Sequence, residues 1–257
     1  MRVVTWNINS IRARTDHLLG VLQRLSPDVL MLQELKCTDE QFPTAEVEAA
    51  GYQVAVFGQK SFNGVAMLTR EKATDVVRNI SDGLDDPMAR MIGATYRGVR
   101  IYGLYAPNGQ AIGSEAFEYK LHWYTRLRRF LAQHHAAESR VILCGDFNVA
   151  PEDVDVWDPR LFAGQTLFTD SEKRAWRELR DSLQMTDVFR ALNPGVQRFT
   201  WWDYRMSGYK KNHGLRIDHF LATKAVFEKA KETGVDLPAR ELKLPSDHAP
   251  VWTDFDM

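Results

Sequence analysis

The sequence predicts an α/β fold in which two mixed β-sheets pack face to face with helices on the outside. Three observations lead there. Short apolar, β-branched runs recur along the whole 257-residue chain and outnumber the helical stretches. The helical stretches are amphipathic, so each needs an apolar surface to cover. The pair Arg97-Gly98 sits between two such runs as a hairpin turn, which excludes a purely parallel sheet.

The strand-like runs are Arg2–Trp6, Val29–Gln33, Tyr52–Phe57, Val65–Thr69, Met91–Tyr96, Val99–Tyr105, Arg140–Cys144, Arg198–Trp202, Leu215–Ala222 and Val251–Phe255. Helical spacing appears from Asp16 to Leu25, with Leu18, Leu19, Leu22 and Leu25 on one stripe. It returns from Ser114 to His134, with Phe117, Leu121, Tyr124, Leu127 and Leu131, and from Ser171 to Leu183, with Trp176, Leu179 and Leu183. Ser114 and Ser171, each followed by acidic residues, read as helix starts. The Pro- and Asp-rich segment from Pro151 to Pro159 reads as a long loop. No linker or low-complexity stretch divides the chain, so one domain spanning residues 1–257 is expected.

A hydrophobic content of 44% supports a substantial core. Lys plus Arg is 33 against 34 Asp plus Glu, a formal charge of −1, so a polyanion would have to be met by a local basic face. The two cysteines, Cys37 and Cys144, make no disulfide framework, which suits a reducing compartment. The chain opens without a leader-like pattern and contains no apolar run of bilayer length. A cytoplasmic protein with no membrane partner is expected, nucleoid-associated in a prokaryote.

The chemistry gathers at strand ends. Asn7 and Asn9 follow Val3-Val4, Glu34 follows Leu32-Gln33, Asp146 and Asn148 follow Val141-Ile142-Leu143, and Asp247-His248 precede Val251. Polar groups at the ends of buried strands are where layered α/β folds place an active centre. Carboxylate and amide oxygens suit a hard divalent ion, with Glu34 the leading ligand, although an isolated glutamate is ordinarily a solvated one. Asp146 and Asn148 fall on the same side of an extended chain, placing a carboxylate and an amide on one water. Gly145 would equally suit a plain turn there. Of the seven histidines only His248 lies among these strand ends. A histidine facing phosphate needs a carboxylate partner, and Asp218 is the candidate. Tyr105 and Asn108 end a strand in a turn where hydroxyl and amide could meet a phosphate. The run Trp201-Trp202-Asp203-Tyr204-Arg205-Met206, with Lys210 and Lys211 beyond, has the make-up of a loop that stacks on bases and grips phosphates. By alternation one of the two tryptophans belongs to the core.

These residues spell a pattern: Trp6-Asn7-Ile8-Asn9, Leu32-Gln33-Glu34-Leu35-Lys36, Asn63-Gly64-Val65-Ala66, Tyr105-Ala106-Pro107-Asn108, Gly145-Asp146-Phe147-Asn148, Trp202-Asp203-Tyr204-Arg205, Leu215-Arg216-Ile217-Asp218 and Ser246-Asp247-His248. In that order, over nearly the whole chain, it closely resembles the exonuclease III family of abasic-site (AP) endonucleases, within the endonuclease/exonuclease/phosphatase superfamily. Two departures stand out, Leu35 where Thr often follows the glutamate and His219 where an aliphatic residue is common after the aspartate.

The resemblance implies a four-layer α/β sandwich and a Mg²⁺-dependent DNA repair nuclease, with Mn²⁺ as an alternative ion. It implies cleavage 5′ to abasic sites, with 3′-5′ exonuclease and 3′-phosphatase activity, on double-stranded DNA carrying abasic sites or damaged 3′ ends, by a monomer. It implies that Glu34 with Asn9 or Asp247 holds the metal, and that Asp146 activates or positions a water oriented by Asn148. Asn7, Tyr105 and His248 would bind the phosphate, with Asp218 behind His248. Arg205 would enter the duplex, flanked by Met206 and Lys210. Trp202 and Leu215 would line a pocket for the base-free sugar, and an unstacked abasic nucleotide is cheap to extrude. Rival readings are a phosphoesterase for a small or lipid substrate and a nuclease-dead RNA-binding regulator. The aromatic-basic loop argues against the first and the intact acids and His248 against the second.

Overall fold

The computed structural model describes residues 1–84 and 86–257. In chain order its strands are β1 (Arg2–Asn7), β2 (Val29–Gln33), β3 (Gln53–Phe57), β4 (Val65–Thr69), β5 (Thr74–Arg78), β6 (Met91–Tyr96), β7 (Val99–Tyr105), β8 (Val141–Asp146), β9 (Thr186–Asp187), β10 (Trp201–Trp202), β11 (Gly214–Leu215), β12 (Asp218–Ala222), β13 (Ala230–Val235) and β14 (Val251–Phe255). The helices are α1 (Thr15–Leu25), α2 (Thr44–Ala49), α3 (Glu115–His134), α4 (Pro159–Phe162), α5 (Asp170–Ser182), α6 (Val188–Leu192), α7 (Gly208–Lys211) and α8 (Lys224–Phe227).

Two six-stranded sheets form, in the orders β13-β14-β1-β2-β4-β3 and β5-β6-β7-β8-β12-β9, with β10-β11 as a separate ribbon. Both are mixed, since β1 pairs parallel with β2 and β7 with β8 while their other pairings are antiparallel. Arg97 and Gly98, both at positive φ, make the β6–β7 turn that their sequence implies.

Strand alternation assigns the layers. On β1, Val3 faces the opposing sheet while Val4 and Trp6 face outward to Leu18, Val21 and Leu22 of α1. On β8, Ile142 and Cys144 point inward while Val141 and Leu143 point outward under Trp123 and Leu127 of α3. The result is helix, sheet, sheet, helix. Both cysteines are buried and unpaired. Among the described residues no helix is long and apolar enough to cross a membrane.

The same parity places the site. Asn7, Tyr105, Asp146 and Asp218 each continue the inward row of their strand one step past the interlayer core. Asp146 stands opposite Tyr105 on one side and Asp218 on the other, so these groups form a row across the second sheet.

The structure also corrects several expectations. The third predicted helical stretch is α5, which starts at Asp170, capped by Thr169, whose side chain accepts from the Glu172 amide in a capping box, so Ser171 is inside it. The buried stripe of α3 runs through Phe117, Lys120, Tyr124 and Leu127, with Leu121 only half buried. The run 215–222 breaks into β11 and β12, and 198–202 keeps only Trp201 and Trp202 in a strand. The segment from Pro151 holds a 3-10 turn at Asp153–Asp155, and Pro159 opens α4.

Candidate active site

The inward ends of β1, β2, β7, β8 and β12 meet the Ser246-Asp247-His248 turn. Asn7 joins the two sheets: its Nδ2 donates to Glu34 Oε1 and to Asp146 Oδ2, both at 2.9 Å. Ser246 Oγ donates to the Asn7 carbonyl at 2.7 Å, and Trp6 Nε1 donates to the His248 carbonyl at 3.1 Å. The turn is thereby fixed to β1.

His248 Nδ1 lies 2.9 Å from Asp218 Oδ2, and its Nε2 lies 3.7 Å from Asp146 Oδ2. Burial opposes a charged imidazole, but the Asp218 and Asp146 carboxylates prevail and raise its pKa well above the usual range, so it is an imidazolium. Asp146, 1% exposed, is pushed up chiefly by burial, with His248 and the Asn7 hydrogen bond pulling the other way. Next to this row is half-buried Tyr105, whose hydroxyl stays protonated because burial and the Glu34 and Asp146 charges raise its pKa.

Asn148 is not extended: its φ is 50°, and its backbone N–H turns back to Asp146 Oδ1 at 2.9 Å. The expected carboxylate–amide pairing therefore arises from a left-handed residue rather than from strand alternation. The Asn148 amide is set by donation to the Ala106 carbonyl at 2.9 Å and acceptance from Asn108 Nδ2 at 3.1 Å. Asn9, Glu34 and Lys36 also take positive φ. Such strained residues gather where a structure holds a site in place, and for Glu34 and Lys36 the strain has no asparagine-like excuse.

Two groups of potential metal ligands lie here. Ligand atoms of Asp146, Asp218 and His248 lie within 4.8 Å of one another. That group is a poor metal cage, because the imidazole is protonated and its Nδ1 is taken by Asp218. The second group is Glu34, Asn9 and Asp247. Lys36 Nζ sits between Asn9 Oδ1 at 2.6 Å and Glu34 Oε2 at 2.9 Å, while Asn9 Nδ2 donates to Asp247 Oδ1 at 2.8 Å. Burial would raise the Glu34 pKa, yet the Lys36 charge and the Asn7 hydrogen bond bring it below the ordinary value. Asp247 is likewise held low against burial by His248, Asn9 and Trp201. Two of these oxygens, Asn9 Oδ1 and Glu34 Oε2, already hold the Lys36 ammonium, and carboxylate and amide oxygens are the donor chemistry that suits a hard divalent ion.

Beside the acids lies a cavity of about 410 Å³ lined by Trp157, Trp201, Arg205, Met206, His213 and Leu215 among others. Trp201, not Trp202, faces it, and Trp201 Nε1 also donates to Asp247 Oδ2 at 3.0 Å. Trp202 is 2% exposed and packs on Phe199, Ala249 and Tyr209, so alternation along β10 removes it from any pocket. Leu215 lines the cavity as expected. Arg205, with its guanidinium folded onto Asp203, and Met206, 82% exposed, stand at the rim, with Lys210 exposed beyond. Residues the motifs did not single out for a role are Lys36, two positions after Glu34, and Thr200, whose Oγ1 accepts from the Asp218 amide at 3.2 Å.

Residues 4–248 match the model of the endonuclease/exonuclease/phosphatase family. The exodeoxyribonuclease III of Haemophilus influenzae is 34% identical over 270 residues, covering 99% of this chain and all of that one (100%). The chain belongs to this family, in its exonuclease III branch. Two solved structures superpose over 100% of both chains. The 3′ phosphatase NExo from Neisseria, bound to a product DNA hairpin, has a TM-score of 0.97 and 38% identity. An AP endonuclease from Archaeoglobus fulgidus has 0.96 and 34%. Members of this branch thus share the four-layer arrangement described above, and the chain is a metal-dependent nuclease by family.

Proposed function

We propose that the protein is a Mg²⁺-dependent DNA repair nuclease that cleaves the phosphodiester 5′ to an abasic site and trims damaged 3′ ends by exonuclease and phosphatase action. The observation that carries this reading is the junction of three parts: the Asp146–His248–Asp218 row, the Glu34–Asn9–Asp247 oxygen set, and an apolar cavity edged by Arg205 and Met206.

Asp146 takes the proton of the attacking water, for which its burial-raised basicity is suited. Asn148 holds that water in line. The His248 imidazolium, Asn7 Nδ2 and the Tyr105 hydroxyl bind the phosphate oxygens, and Asp218 keeps the imidazole charged and oriented. Glu34, with Asn9 and Asp247, would hold the ion, which would supply charge stabilisation for the phosphate oxygens. Leu215 and Trp201 receive the base-free sugar while Arg205 and Met206 press into the duplex, with Asn108 and Lys210 on flanking phosphates. All of these groups come from one chain, so a monomer suffices. Its working place is the cytoplasm, in keeping with a bacterial exodeoxyribonuclease III as relative.

The test is cleavage of three labelled duplexes in Mg²⁺, carrying an internal abasic site, a nick with a 3′-phosphate, and a recessed 3′ end. Incision 5′ to the abasic site together with release of phosphate and nucleotides is expected, and chelation should abolish all three. A protein that leaves every duplex intact under conditions where a control enzyme cuts them overturns the proposal.

A further inference from the structure

The helix α3 carries a lysine on its apolar stripe. Lys120 is 0% exposed, and its ammonium has three N–H groups and three partners: the Asn148 carbonyl at 2.7 Å, the Asn108 carbonyl at 3.0 Å and Glu172 Oε1 at 2.5 Å. Among the described residues no other group donates to either carbonyl. One turn later on the same face, the Tyr124 hydroxyl donates to the Phe147 carbonyl. Glu172, also fully buried, is saturated on its side, accepting from the Leu167 and Thr169 amides and the Thr169 hydroxyl. The turn after β7 packs directly on the lysine stem, since a Cβ on Gly109 would lie 3.0 Å from Lys120 Cδ.

A buried ion pair is a weak source of stability, because desolvation of both charges offsets their attraction. Burial lowers the Lys120 pKa accordingly, with Glu172 opposing. What the pair does supply is geometry. Its two carbonyl partners belong to the two residues whose side chains hydrogen-bond each other above it, Asn108 and Asn148.

We propose that Lys120 is a positioning residue for the reaction: its ammonium fixes the Asn108 and Asn148 carbonyls on α3 and thereby aims the Asn148 amide. The proposal rests on the reading that Asn148 orients the attacking water. Lys120 touches neither substrate nor metal site and acts only through the loop it holds.

Lys120→Met combined with Glu172→Gln removes both charges without orphaning either. The double variant is expected to fold and to bind abasic DNA with KM within about threefold of wild type. Its kcat should fall on the order of 10²-fold, the scale of a misplacement near 1 Å. In an Asn148→Ala background the same pair of changes should cost nothing further, because the group through which Lys120 acts is gone. Losses that multiply in that background overturn the proposal, as does wild-type kcat in the folded double variant. Where the double variant does not fold, Lys120→Arg retains a buried cation opposite Glu172, and the same dependence on Asn148 is expected. In metal-free protein the Asn148 side-chain amide resonances should shift in either variant, and unchanged resonances also overturn it. That readout stands even if wild-type protein cuts no duplex, an outcome that sinks the functional reading instead.

Discussion

Asp146 touches Asn7, its own loop amide at Asn148 and the field of His248, and each contact bears on one of its oxygens. Asp146→Asn keeps the shape and most of these contacts but removes the proposed proton acceptor. Turnover should fall by about 10²–10⁴-fold, the scale for loss of a general base. Binding to abasic DNA, measured with chelator present, should stay within about threefold, and a parallel loss of binding would contradict the assigned role. The two adjacent tryptophans separate cleanly. Trp201→Ala should weaken abasic-site recognition while leaving the melting temperature within a few degrees. Trp202→Ala opens a core void and should cost about 3–5 kcal/mol in urea unfolding. Equal effects of the two on stability would refute the facing assigned to β10. Sequence made His248 and Asp218 legible as partners because an imidazole facing phosphate needs a carboxylate beside it, and Asp218 stands at the start of another apolar strand. It could not say which tryptophan faces outward, since alternation fixes parity but not phase. Lys120 was hidden because a lysine within a helical stripe reads as a surface residue unless its partners, Asn108, Asn148 and Glu172, are known to converge on it.

At the scale of elements, β12 is held to β9 and to the 3-10 turn at Asp153–Asp155 by Arg216. Its guanidinium is 1% exposed and pairs with both Asp155 and Asp187. His219, on the face of β12 opposite Asp218, completes this network: Nε2 donates to the Val149 carbonyl at 2.8 Å and Nδ1 accepts from Arg216 at 2.9 Å. Burial, aided by the Arg216 charge, lowers the His219 pKa to about 4, so it is neutral in the fold. The unfolded imidazole titrates near its ordinary value of about 6.5. The contribution of His219 is therefore complete above that pH and is lost as pH falls towards 4, because the unfolded chain then binds the extra proton. The stability gap between wild type and His219→Phe should shrink by on the order of 2 kcal/mol between pH 7 and pH 4.5 in urea titrations. A gap independent of pH would refute a neutral buried imidazole. Two of the strands that the sequence failed to disclose have a common cause. β5 and β13 lie at sheet edges with mostly exposed or half-buried residues, so no apolar alternation marks them. The central strands β2, β4, β6, β7 and β14, covered on one or both faces, were legible to the residue.

Taken whole, the molecule carries a charge of −1 and is proposed to bind a polyanion. Its attraction to DNA must be local, from cations such as Arg205 and Lys210 at the cavity rim. Affinity for abasic duplex should still fall steeply with salt, by about 10³-fold between 50 and 200 mM if about six phosphates are neutralised. A flat response in a binding titration would count against a DNA substrate. The Asn7 amide has another consequence. It is shared between an acid of one sheet and an acid of the other, so the reactive geometry is a measure of how far apart and in what alignment the sheets lie. The sheets approach closely at Gly103, where an added Cβ would meet Met31 Cε at 2.7 Å. Gly103→Ala, well inside the protein, should depress kcat before it depresses the melting temperature, and a variant that loses both in proportion would disprove the link. On the proposed roles, catalytic competence is expected to depend on the spacing between layers, so that a change remote from every acid detunes it like a shim slipped between two plates.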